Sequence, residues 1–298
     1  MRPIRLGLAA ALLLIAGGPA AAWEAPPATP PGKPQRIVSL NLCADELLLR
    51  LVGPERLAAV TWLVGPERLA AVTWLARDPR ASTVAPLAAR VPINHGLAEE
   101  ILPLDPDLIV AGRYTTRVAV GLLTRLDAPL LELDVPQSVA GVAEQIRGLA
   151  RAVGEPERGE ELVAAMRSRL DALPPAAPGP RPTAVVLRPN GFVAGSGSLV
   201  DELLSRAGLE NMADRLPLGS QGALPLEAII LGGADVLIVD AAPDAPPSLA
   251  GALLHHPALK ALKRQVRTLS LPSRLWTCPG PQIAEAAERL AAVREAPP

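Results

Sequence analysis

Histidine, cysteine and aromatic side chains are scarce in this chain of 298 residues, which has three histidines, two cysteines, four tryptophans, one tyrosine and one phenylalanine. Two of the histidines are the adjacent His255-His256 ahead of Pro257, so a multi-histidine zinc site is not expected and no metal ligand is assigned. Basic and acidic residues nearly cancel, 29 against 30, and the basic stripe of a nucleic-acid binder is missing. No Gly-x-Ser-x-Gly elbow occurs. Gly195-Ser196-Gly197 lacks the third glycine of a dinucleotide fingerprint, because Val200 stands there. Neither a catalytic set nor a cofactor is therefore assigned. After the first residues no segment reads as membrane-spanning: the most apolar stretch, Ala223 to Ala242, carries Glu227, Asp235 and Asp240.

What is present begins with an export signal. Arg2 and Arg5 precede an apolar run from Leu6 to Ala16, then Gly17-Gly18-Pro19 and Ala20-Ala21-Ala22. That layout predicts a signal peptide over 1–22, cleaved after Ala22, and no cysteine near the cut offers a lipid attachment point. Residues 23–35 form a proline-rich linker. Strand-like and helix-like segments then alternate: Arg36–Leu40, Leu69–Thr73, Asp107–Ala111 and Leu130–Leu133 read as strands, with helices between them. Residues 138–173 are helical without a strand signal, broken at Gly154-Glu155-Pro156, where proline can open a new helix. Alternation resumes at Thr183–Leu187, Val236–Val239 and Val266–Leu271. The pattern predicts an α/β protein with parallel sheets in two lobes, 36–137 and 182–294, separated by a helical connector over 138–173.

The halves repeat one another in the same order. Asp45-Glu46-Leu47-Leu48 with Arg50 matches Asp201-Glu202-Leu203-Leu204 with Arg206. Glu99-x-Ile101 ahead of Asp107 matches Glu227-x-Ile229 ahead of Asp235 at identical spacing. Separately, LVGPERLAAVTW stands at 51–62 and again at 63–74. Only one LAAVT copy fits a small sheet; the second, which leads directly into Leu75, is assigned the strand, and Pro54–Val64 is expected to form a displaced helix.

Ligands of open α/β sheets bind beyond the carboxyl ends of the strands. Trp74, Tyr114, Phe192 and Trp276 each follow a predicted strand, and so do Arg113, Arg188 and Arg274. Trp74, Arg113, Tyr114, Phe192 and Trp276, with Asn190 beside Phe192 and His95 near another strand end, are the candidate ligand-binding residues. Cys43 and Cys278 also follow strands, one in each lobe. They form a disulfide if their Cα atoms lie within roughly 7 Å; otherwise Cys43, in the first turn of a helix, is a candidate low-pKa thiol.

RIVSLNLCADELLLRL, LAEEILPLDPDLIVAG, GSLVDELLSRAGLENM, LEAIILGGADVLIV and HHPALKAL, in that order over residues 36 to 294, resemble the periplasmic substrate-binding proteins of ABC importers for cobalamin and ferric siderophores. The resemblance implies two Rossmann-like lobes with central parallel sheets, joined by a long connecting helix. It implies a periplasmic protein holding a corrinoid or ferric siderophore in the interlobe cleft, not an enzyme. The implied partner is an ABC permease homodimer with cytoplasmic ATPases, whose arginines receive one glutamate from each lobe, here Glu99 and Glu227. The competing expectation is an exported protein or enzyme using Cys43, Cys278 and His95 to hold copper or zinc.

Overall fold

The computed structural model describes residues 32–52, 68–176, 178–215, 221–239, 252–263 and 265–295. The signal-peptide segment and the helix expected over Pro54–Val64 lie outside them. No helix among the described residues is long and apolar enough to cross a membrane.

The first sheet is wholly parallel. Strands β1 (Ile37–Ser39), β2 (Leu69–Thr73), β3 (Ile93–Asn94), β4 (Leu108–Gly112) and β5 (Leu130–Leu133) lie in the order β3-β2-β1-β4-β5. Helices α1 (Leu42–Leu51), α2 (Ala85–Ala88), α3 (Ala98–Ile101) and α4 (Arg117–Arg125) lie in the crossovers. The chain winds outward from β1 to β3 and then returns to β4, so winding reverses between β1 and β4. Alternate residues feed opposite faces: Ile37 and Val110 enter one apolar cluster, Val38 and Ile109 another. A strand buried on both faces needs this unbroken apolar run. The second LAAVT copy is the strand β2, as expected. Arg68 secures its start, donating from Nε to the Pro34 carbonyl and from Nη1 to Glu155, each at 2.7 Å.

The connector is a hairpin of two helices, α5 (Val139–Ala152) and α6 (Pro156–Asp171), and not one long helix. Gly154, at φ +68°, turns the chain, and Pro156 opens α6 where its missing N–H costs nothing. Arg147 of α5 reaches Glu160 of α6 at 2.7 Å, and a Cβ on Gly159 would collide with Ala150, so the helices cross closely.

The second sheet is mixed, which corrects the expectation of a parallel one. Strands β6 (Thr183–Leu187), β10 (Val236–Val239) and β11 (Arg267–Ser270) are parallel. Strands β7 (Phe192–Ala194) and β9 (Gln221–Ala223) extend the sheet antiparallel, while β8 (Glu210–Asn211) pairs in parallel with the start of β6. The short turn from Arg188 to Gly191 is the cause: a parallel return needs a crossover of a dozen residues or more. Helices α7 (Leu199–Arg206), α8 (Leu226–Leu231), α9 (Pro257–Leu262) and α10 (Ile283–Glu295) complete this lobe. One apolar cluster runs through both lobes, taking in Leu47, Ile146, Met166, Val186 and Leu290. The lobes are therefore packed on a shared core through the α5–α6 hairpin.

Candidate functional site

The winding reversal between β1 and β4 leaves a crevice at their carboxyl ends. Asn41, just beyond β1, caps α1 by accepting from the Cys43 N–H at 2.9 Å. Gly112 ends β4 against it: a Cβ there would stand 2.8 Å from the Asn41 side chain. A glycine is needed for the two strand ends to close on one another. Above them lies a cavity of about 360 Å³ whose walls come from both lobes. From the first lobe come Asn41, Cys43, Arg113, Tyr114 and the stretch 133–137 after β5; Gln145 comes from α5. The second lobe contributes Arg188 beyond β6, the start of α7 at 198–200, and Trp276 with Thr277 beyond β11.

Cys43 and Cys278 are bonded across this cleft, with Cα atoms 4.7 Å apart. The bond links the first turn of α1 to the loop ahead of α10, and Cys43 lines the cavity. A metal site built from Cys43, Cys278 and His95 does not assemble, because the sulfurs are spent on each other. His95 sits outside the cavity wall with Nδ1 2.9 Å from Glu100.

Arg113 reaches Asp134 at 2.9 Å, and that guanidinium, with the Val135 N–H, holds the Asp134 carboxyl below its usual range. Tyr114 is 82% exposed and presents its ring at the mouth. Trp276 is 2% exposed and carries the Arg188 guanidinium 5.8 Å from its ring centroid, a cation–π contact.

The structure thus brings Arg113, Tyr114 and Trp276 together. It does not bring Trp74, Phe192 or His95 to the same wall. Trp74 follows β2, one strand removed from the reversal point, and is half exposed there. Phe192 begins an antiparallel strand instead of ending a parallel one; it is half exposed on the strand face it shares with Ala194, which does line the cavity. Asn190 lies in the turn between β6 and β7. Asp134 and Gln137 were missed, although both follow β5 and the strand-end rule finds them. Gln145 had no signal: it sits in an amphipathic helix beside Glu144, and only packing turns it inward. Glu99 and Glu227 are both exposed, each in the first turn of its helix.

Two wound α/β lobes on a shared core, with a cavity at their facing strand ends, define a two-lobed α/β architecture with an interlobe cleft. The chain matches the periplasmic binding protein family over residues 37–266 and belongs to it. A cobalamin-binding protein of Halobacterium salinarum (strain ATCC 29341 / DSM 671 / R1) is 24% identical over 232 residues, covering 74% of this chain and 58% of the relative. The chain therefore spans less than two thirds of that relative's length. The periplasmic heme-binding protein RhuT from Roseiflexus sp. RS-1, in apo form, superposes with a TM-score of 0.67 at 24% identity, over 88% of this chain and 99% of that one. The periplasmic vitamin B12 binding protein BtuF of Vibrio cholerae does so with a TM-score of 0.61 at 17% identity, over 88% and 97%. At these identities the superpositions establish the fold.

Proposed function

We propose that the chain is exported by its first 22 residues, captures a cobalamin-like or ferric-siderophore ligand in the interlobe cleft, and delivers it to an ABC permease homodimer served by cytoplasmic ATPases. The observation that carries this is the cavity at the carboxyl ends of both sheets, where Arg113 and Tyr114 of one lobe meet Trp276 of the other. Aromatic faces suit a large ring-bearing ligand. At about 360 Å³ the cavity is near the small end of ligand sites, so a corrinoid projects from the mouth. In this reading the protein acts as a carrier, its described cavity wall presenting donors and aromatic rings to a ligand.

Docking falls to Glu99 and Glu227. Strands β4 and β10 run toward the cleft, so α3 and α8, which lead back down to them, start at the cleft edge. A carboxylate in a first helical turn is favoured by the helix dipole. One exposed glutamate per lobe then meets one arginine cluster per permease subunit.

A thermal-shift panel with cyanocobalamin, haem and several ferric siderophores tests the ligand class, since binding to the folded state alone raises its stability. A stabilising corrinoid or siderophore supports the proposal; a panel without any response removes that class. Changing Glu99 and Glu227 together to alanine should abolish transport with ligand affinity intact, and weakened ligand binding with docking preserved would remove the docking role.

A further inference from the structure

The charged side chains of the cavity wall are already engaged. Arg113 and Asp134 hold each other at the mouth, 2.9 Å apart. Arg188 is engaged as well, its guanidinium lying over the Trp276 ring. Two neutral groups are also satisfied. Ser198 donates to the Gly195 carbonyl at 2.8 Å and accepts from the Asp201 N–H at 3.2 Å, and Gln137 donates to the Val135 carbonyl at 3.0 Å.

Gln145 differs from all of these. It stands on α5 among the core residues Val142, Ile146 and Leu149 and is 6% exposed. Its amide makes no hydrogen bond among the described residues. The amide nitrogen and oxygen are nevertheless not sealed in: both keep surface that solvent reaches, and the residue lines the cavity. Buried polar groups of a folded protein are nearly always satisfied, and an exception that opens on a ligand cleft calls for a partner from the ligand. Asn41, in the same wall, adds a fixed donor. Its Oδ1 accepts the Cys43 N–H at 2.9 Å and the Ala44 N–H at 3.4 Å, which only an oxygen can do. That cap sets the orientation of the amide, and Nδ2 donates to nothing among the described residues.

We infer that Gln145 and Asn41 mark a subsite for an uncharged carboxamide group of the ligand, with Gln145 as the specificity determinant. A carboxamide can donate to Gln145 Oε1 and accept from Nε2 at once, so both halves of the buried amide are used. A carboxylate can only accept. It would use Nε2, set a second negative oxygen against Oε1, and carry its charge into a wall whose cations are taken. The inference rests on the cleft being the ligand site and narrows the ligand. A corrinoid, fringed with amides, or an amide-bearing siderophore uses the subsite; a macrocycle fringed with carboxylates, as haem is, does not.

The test uses the full chain labelled uniformly with ¹⁵N, the Gln145 side-chain NH2 signals being assigned by their loss in Gln145→Met. Benzamide and benzoate, alike in shape and different in charge, are the probes at neutral pH. Benzamide should shift the Gln145 side-chain signals saturably, and benzoate should bind at least about tenfold more weakly. Gln145→Met, read on the backbone amides of the cavity wall, should weaken benzamide by about fivefold to tenfold and leave benzoate unchanged. Equal binding of the two probes, or side-chain signals that benzamide does not move, overturns the subsite. The thermal-shift panel separates this from the broader proposal. Stabilisation by cyanocobalamin without a benzamide response removes the carboxamide subsite alone. A benzamide response without stabilisation by any corrinoid or siderophore removes the ligand class and leaves the subsite standing. If Gln145→Met does not fold, Gln145→Glu gives the same assignment, and the comparison of amide with acid is read on the unaltered chain.

Discussion

In the N-terminal lobe Asp45 and Glu46 are buried, and in the C-terminal lobe their counterparts Asp201 and Glu202 are only partly covered. The ion pair one helical turn on is the same in both: Arg50 to Glu46 at 2.7 Å and Arg206 to Glu202 at 2.8 Å. What covers them differs. Over α1 the segment 82–84 folds back, so Glu46 also accepts from Ser82 Oγ at 2.9 Å and the Thr83 N–H at 2.7 Å. On α7, Glu202 instead takes the Val139 N–H at the start of α5, at 2.7 Å. The glutamate side chains are 1% and 28% exposed accordingly. Elsewhere the lobes agree. Asp107, ahead of β4, accepts from the Gln35 and Arg36 N–H groups leading into β1, at 2.6 and 2.8 Å. Asp235, ahead of β10, accepts from the Thr183 N–H that begins β6, at 2.8 Å. A shared motif thus fixes a local turn or ladder, while its burial is set by whatever the rest of the lobe lays across it.

The strongest way to break the comparison is to part the lobes. The Cys43–Cys278 bond closes a loop of 235 residues, and Cys278→Ser should cost about 2–5 kcal/mol of stability by releasing that constraint on the unfolded chain. Urea unfolding with and without reductant checks it; an unchanged midpoint would mean that the shared core alone holds the lobes. Next in size is the contrast between the glutamates. Glu46→Gln unpairs a partly buried Arg50 and should cost about 3 kcal/mol. Glu202→Gln, more exposed and still able to accept from Val139, should cost about 1 kcal/mol or less. Equal losses would erase the difference between the lobes.

A smaller effect concerns pH. Burial pushes the Asp45 carboxyl up to about 7, against the lowering effect of hydrogen bonds from Ser39 and Thr73. The folded state therefore holds a proton that the unfolded chain releases near 3.8. The associated stability is complete in acid and is lost as pH rises through about 7. Stability measured by urea unfolding should fall across that window, and Asp45→Asn should flatten the slope; an unaltered slope would assign it to other groups. The smallest effects belong to Glu99→Ala and Glu227→Ala, each within about 0.5 kcal/mol because both side chains are exposed. A clear loss at one and not the other would show that they are not equivalent surface positions.

Much of this was legible beforehand. Apolar runs such as DLIVA and ADVLIV announced buried parallel strands, Gly154 with Pro156 announced the break in the connector, and the ordered motif pairs announced two related lobes. The antiparallel margin of the second sheet was not, because the shortness of the Arg188–Gly191 turn matters only once β7 is known to be a strand. Arg113, Tyr114 and Trp276 line the cavity, and their place after strands is what singled them out in the sequence. Trp74 and Phe192, named by the same rule, lie outside that lining: the rule locates the cleft edge of a sheet, but not which strand ends flank the reversal of winding.

The sequence by itself determined the periodic apolar pattern, the helix starts and stops, and hence the two α/β lobes, since each depends on residues close along the chain. Only the tertiary structure decided which strand ends face one another across the cleft, that Cys43 meets Cys278, that Glu46 is buried where Glu202 is not, and that Gln145 and Trp276 share a wall. Those facts depend on contacts between residues far apart in the chain, and a local pattern carries no record of what will be packed against it.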